Sequence, residues 1–199
     1  MPLAWAQAGG SERIYSGKDG LREEWMAAGW GGLEAQADSD QGRVAGESSV
    51  KCTPGAGAKV YGGLALQVAY GKDQAAAGIP LDAALKSDGI VKFYLNEGKG
   101  PGGEEGRAAA LQFTLSFTTP AGKKLNGKFQ RMSKYTAGDT TDGDPKTWEE
   151  ISIPLADILP DIPDEDREAV SALVGLVLQY TEEPAVEIFV TDCELVSGK

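Results

Sequence analysis

Short runs of alternating apolar and polar residues are cut repeatedly by glycine- and proline-rich breaks, and this punctuation restricts the chain more than any other feature. The breaks include Pro54-Gly55-Ala56-Gly57, Gly98 to Gly106, Pro120-Ala121-Gly122 and Asp142-Gly143-Asp144-Pro145. Between them the pattern predicts strands over Arg13–Ser16, Leu33–Ala37, Ser48–Cys52, Gly63–Tyr70 and Ile90–Asn96. Further strands are predicted over Ala109–Thr118, Lys124–Ser133, Trp148–Ile153, Val174–Tyr180 and Val186–Val196. Helical periodicity is confined to Asp164–Leu173 and a turn around Leu81–Leu85. Many short strands with turn chemistry between them, and no long helix to cross over, predict an all-β fold. The expected form is a single antiparallel β-sandwich of jelly-roll type with one or two short connecting helices. Glycine supplies 27 of 199 residues while 41% are apolar, which fits many turns around a real core.

The sandwich is expected over residues 13–199, behind a flexible arm or signal-peptide remnant at 1–12. The remnant reading rests on Ala4-x-Ala6, the small-x-small form that signal peptidase cuts. With it the chain is expected to be secreted or displayed at a cell surface.

Charge and composition remove whole classes of function. A formal charge of −11 argues against nucleic acid, which is bound by neutralising phosphates with Lys and Arg. No apolar run approaches the roughly 18–20 residues needed to span a bilayer, so membrane insertion is not expected. Histidine is absent, which excludes Ser-His-Asp and Cys-His catalysis and every His-ligated zinc site. Gly98-Lys99-Gly100-Pro101-Gly102-Gly103 fits a dinucleotide fingerprint by letter. Acidic Glu104-Glu105 and a strand follow it, where pyrophosphate binding needs the start of a helix. The acidic doublets, such as Glu149-Glu150, are adjacent in sequence, so on a strand they point to opposite faces and cannot flank one glycosidic bond. The chain is therefore expected not to be an enzyme, with glycoside hydrolysis or lyase chemistry by acids from separate strands as the residual catalytic option.

Alternation also assigns faces. Val91, Phe93 and Leu95 share one side of their strand, and Lys92, Tyr94 and Asn96 the other. Leu111, Phe113, Leu115 and Phe117 oppose Gln112, Thr114, Ser116 and Thr118. Leu64, Leu66 and Val68 oppose Gln67, and Lys128, Gln130 and Met132 oppose Phe129. Phe93, Phe113, Phe117 and Phe189 read as core. The polar side, rich in planar amides and a phenol, suits a hydroxyl-rich ligand. Tyr94, Lys92, Asn96, Gln112, Gln130 and Gln67 are the expected ligand-binding residues, with Trp30, Tyr61 and Tyr135 as loop-adjacent aromatic candidates.

The order of several stretches resembles the galactose-binding-like β-sandwich of carbohydrate-binding modules, and is similar to the complex I intermediate-associated domain. These stretches are Ile14-Tyr15-Ser16-Gly17 followed by Trp25 and Trp30, which look like the family's opening strand and its aromatic-bearing loop, then Gly46 to Val50, Ile90 to Asn96, Trp148 to Leu155, and Ile188 to Leu195. The closing Asp192-Cys193-Glu194 departs from the family's Asp-Asp-Ile. The resemblance implies a non-catalytic domain whose partner is a polysaccharide or other glycan. It also implies a structural calcium ion where the first and last strands meet, with Asp192, Glu12 and Asp38 as ligands. The alternative is a structural or assembly subunit of an extracellular layer, filament or complex, built by protein–protein contacts at sheet edges. Cys52 and Cys193, both in predicted strands, form a disulfide if those strands are neighbours and otherwise remain two buried thiols.

Overall fold

A computed structural model describes residues 11–97, 111–135, 148–184 and 186–198. In chain order the first strands are β1 (Glu12–Ser16), β2 (Gly20–Leu21), β3 (Trp25–Trp30), β4 (Leu33–Ser39), β5 (Ser49–Pro54) and β6 (Gly63–Val68). After α1 (Gln74–Ala77) come β7 (Ile79–Pro80), α2 (Ala83–Asp88), β8 (Gly89–Glu97), β9 (Leu111–Thr118), β10 (Lys124–Asn126) and β11 (Gln130–Arg131). The chain closes with β12 (Glu149–Pro154), α3 (Leu155–Ile158), α4 (Asp164–Arg167), β13 (Ala172–Tyr180) and β14 (Ile188–Ser197).

These strands form two antiparallel sheets. Sheet I runs β12-β8-β14-β1-β2, with β5 also paired to β14 and β4 to β5. Sheet II runs β10-β9-β13-β6-β3, with β11 also on β9 and β7 on β13. Phe93, Phe113 and Phe117 are fully buried between the sheets with Leu64, Leu66, Leu176 and Leu178. Burying each such side chain stabilises the fold by roughly 1.5–3 kcal/mol. Phe189 is buried too, but it pairs with Asn96 and Lys51 on the outer side of sheet I, with the Lys51 ammonium 5.7 Å from its ring centroid.

Several expectations need correction. The Trp25–Trp30 segment, read from sequence as an aromatic-bearing loop, is an edge strand. Its Met, Ala and Gly residues carry little β-propensity, so pairing with β6 decides its conformation. Gly31 and Gly32, with φ of +67° and +83°, then turn the chain from sheet II into β4 of sheet I. The predicted helix from Asp164 shrinks to Asp164–Arg167, because Ala172 onward is needed as the middle strand of sheet II. The predicted Lys124–Ser133 strand is broken in two. Trp148 lies half-buried before β12, which pairs with β8 in unbroken register. Among the described residues, no helix is long and apolar enough to cross a membrane.

Candidate functional site: the outer face of sheet II

Three rungs of outward-facing side chains cross sheet II. One rung runs Trp30–Gly63–Gln179–Gln112–Arg131 across β3, β6, β13, β9 and β11. Four strand spacings of about 4.8 Å give it a length of roughly 19 Å, enough for a short oligosaccharide. The middle rung, Ala28–Ala65–Val177–Thr114, is low and largely apolar. The third is Met26–Gln67–Gly175–Ser116–Asn126. Thr114, Ser116 and Gln67 on these two rungs are only 3%, 2% and 8% exposed, so the first rung carries most of the surface left to a ligand.

The first rung is held in place by its own hydrogen bonds. The Trp30 Nε1–H donates to the Tyr61 carbonyl at 2.8 Å, and Gln179 Nε2 donates to the same oxygen at 3.0 Å. Gln112 Nε2 in turn donates to Gln179 Oε1 at 2.6 Å. The six-membered ring of Trp30 lies over Gly63, where a side chain would collide with it. Tyr61 adopts the left-handed region at φ +66°, and its side chain is 60% exposed beside this end of the rung. An indole seated on backbone offers an apolar plane, and the amides beside it offer donors and acceptors. That combination suits the C–H face and the hydroxyls of a sugar ring.

The expected ligand-binding residues do not form one surface. Gln67 and Gln112 face outward from sheet II, whereas Lys92 and Tyr94 face outward from sheet I. The two outer faces point away from each other, so no single ligand can touch both sets. Asn96 is 1% exposed and Gln67 8%, which leaves them little surface to offer. Gln130 points the other way from the expectation. Between the pairs Asn126↔Ser116 and Gln130↔Phe113, four steps of chain from β10 to β11 match three on β9. That one-residue bulge flips the parity, turning Gln130 to the Phe113 side and Arg131 outward. Gln130 Nε2 then bonds Asp161 Oδ2 at 3.0 Å. Tyr135 is a core residue, its ring edge-on to Phe113 with centroids 5.1 Å apart.

Tyr94 is engaged on its own sheet. Its hydroxyl donates to Glu150 Oε2 at 2.9 Å, and the Arg43 guanidinium lies 4.1 Å from its ring centroid. The bond to Glu150 raises the phenol pKa above its usual value, since the carboxylate favours the protonated form. One ring face is thus covered.

Two of the expected calcium ligands have protein partners. Asp192 accepts from Gly17 N–H and Arg43, and Glu12 pairs with Arg22 at 2.7 Å. The Asp38 side chain lies outside the described residues, as do Asp139, Asp142, Asp144 and the Gly98–Gly106 stretch. Among the described residues no three His, Cys, Asp or Glu gather closely enough to hold a metal. Of the two alternatives for the cysteines, the buried thiols hold: β5 and β14 are neighbours, yet Cys52 and Cys193 are free and buried. Cys52 is opposite Ile188, five residues along β14 from Cys193, or roughly 16 Å. A disulfide needs Cα atoms within about 7 Å.

The architecture is that of the β-sandwich carbohydrate-binding modules. No protein-family model matches this sequence, and no curated protein matches it. Among solved structures, it is similar to the family 30 carbohydrate-binding module of the cellulosomal cellulase Cel9D-Cel44B of Clostridium thermocellum. The TM-score is 0.61 at 13% identity, over 94% of this chain and 97% of that one. Another family 30 module structure aligns with TM-score 0.64 at 12% identity, over 95% of this chain and 88% of that one. A β-1,2-glucanase from Parabacteroides distasonis contains a similar region, with TM-score 0.52 and 15% identity over 96% of this chain but 25% of that one. At such identities the likeness is one of fold.

Proposed function

We propose that this chain is a non-catalytic carbohydrate-binding domain that lays a polysaccharide across the outer face of sheet II. The observation that carries this reading is the indole of Trp30 over Gly63, in line with Gln179, Gln112 and Arg131. Aromatic plane, amides and guanidinium follow one another along a single rung, as an extended chain of sugar rings requires. The three rungs carry no carboxylate, whereas glycoside hydrolysis needs two on one site. Amides with one arginine fit a neutral glycan better than a cationic one. Solved structures of similar fold are titled as carbohydrate-binding modules, in keeping with this role. Secretion or cell-surface display follows from a polysaccharide partner and belongs to the same proposal.

The test is affinity electrophoresis and calorimetry against soluble neutral polysaccharides, β-glucans and xylans first. Wild-type protein is expected to be retarded by at least one, and Trp30→Ala to lose that retardation. Retardation that survives Trp30→Ala unchanged overturns the assignment of this face.

A further inference from the structure

We infer that a cavity on the outer face of sheet I is a second ligand site, separate from the proposed polysaccharide face, for a small neutral polyol such as a single sugar unit. Its cause lies in the sheet. β14 pairs with β5 through Val190 and with β1 from Cys193 onward. At this change of partner β14 slips register between Thr191 and Glu194, and β1 slips between Arg13 and Tyr15. Two bulges side by side re-aim the outward side chains and open a cavity of about 370 Å3 beside Tyr94. That volume is at the lower end of small-ligand pockets, roughly 300–1,000 Å3.

The wall is organised before any ligand arrives. Asp192 sits in the left-handed region at φ +48°, a conformation that costs a non-glycine residue energy. Its carboxylate is fixed by the Gly17 N–H at 3.2 Å and by Arg43 Nε and Nη2 at 3.1 and 3.0 Å. Arg43 continues onto the Tyr94 ring, and Tyr94 onto Glu150. The Arg43–Asp192 pair is partly solvent-exposed, and such pairs stabilise little, so it is a weak reason to retain a strained backbone. Placement of the carboxylate and guanidinium is a better one, as strained residues cluster at binding sites.

The charge pattern selects the ligand. Arg13, Glu194 and Lys92 form one rung of the cavity, and Arg43, Asp192 and Glu150 complete it. Three cations and three anions line the cavity, and Arg13 is further paired with Asp19 at 2.7 Å, so no excess of positive charge is left for an anion. An anionic or cationic ligand meets as much repulsion as attraction, whereas hydroxyls donate to the carboxylates and accept from the guanidinium and ammonium groups.

The experiment is amide NMR titration with D-glucose, D-galactose, D-mannose and D-xylose, with D-glucuronate and D-glucosamine as charged counterparts. At least one neutral sugar is expected to shift the Gly17, Tyr94 and Asp192 amides saturably, in wild type and in Trp30→Ala alike. Arg43→Ala and the isosteric Glu150→Gln are each expected to weaken that binding tenfold or more, while Lys51→Ala leaves it unchanged. The proposal is overturned if no neutral sugar shifts these amides, if a charged sugar binds more tightly, or if both cavity variants bind like wild type. Shifts confined to Trp30, Gln112 and Gln179 overturn the second site while supporting the polysaccharide face. Loss of polysaccharide binding alone counts against that face and leaves the second site standing.

Discussion

The six-membered ring of Trp30 lies so close over Gly63 that a Cβ at residue 63 would stand 2.5 Å from Cη2. A glycine is therefore required beneath the indole, and the ring keeps one plane for a ligand. Trp30→Ala is expected to weaken binding of the responsive polysaccharide tenfold or more in calorimetry. The thermal midpoint should fall by only a few degrees, because the side chain is half-buried at an edge strand. In wild type, ligand should shift the tryptophan emission, and the variant should lose that change.

Gln179 links the rung by donating to Tyr61 O and accepting from Gln112. Gln179→Ala removes a proposed ligand contact and frees both Tyr61 and Gln112. Affinity should fall by roughly 5- to 30-fold, the order expected for one or two hydrogen bonds of about 1 kcal/mol each. Unchanged affinity would take this rung out of the binding surface.

Arg167 ties down the segment between β12 and β13. Its guanidinium donates to three backbone carbonyls, those of Leu159 at 3.1 Å and of Pro160 and Ile162 at 2.9 Å each. Arg167→Ala leaves these acceptors without that partner, and urea unfolding should show a loss of about 1.5–3 kcal/mol. Glycan binding at the proposed Trp30–Gln179–Gln112 part of the rung should be retained in the folded protein.

The two buried thiols set an alkaline limit. Burial lifts Cys52 from the ordinary 9.0 to about 12 and raises Cys193 as well. Because the folded state holds its thiol protons more tightly, this contribution to stability is complete below pH 9 and is lost as pH rises from 9 toward 12. Melting temperatures should therefore fall across that range, and Cys52→Ala should show a shallower fall. Near pH 8 the native protein should resist thiol reagents until it is unfolded.

Parts of this arrangement are legible from residue order. The alternation in Leu111–Thr118 states both the strand and its buried side, and Phe113 and Phe117 are fully buried as expected. Trp25–Trp30 is not legible, since Ala, Gly and Met advertise no strand and only the neighbouring β6 makes it one. Gln130 is misread for a different reason: one extra residue after Asn126 inverts every side chain beyond it.

The period of two along a strand is a local property, so the chain's own order of residues was enough to set an all-β sandwich with an apolar interior and amide-bearing exteriors. Whether two polar stretches share an exterior is not local. Gln112 meets Gln179 across 67 residues of chain, and Tyr94 meets Glu150 across 56, in sheets that face opposite ways. Those meetings depend on which strands pair and where the register slips, and pairing between distant segments is settled only when the two layers close on their common core.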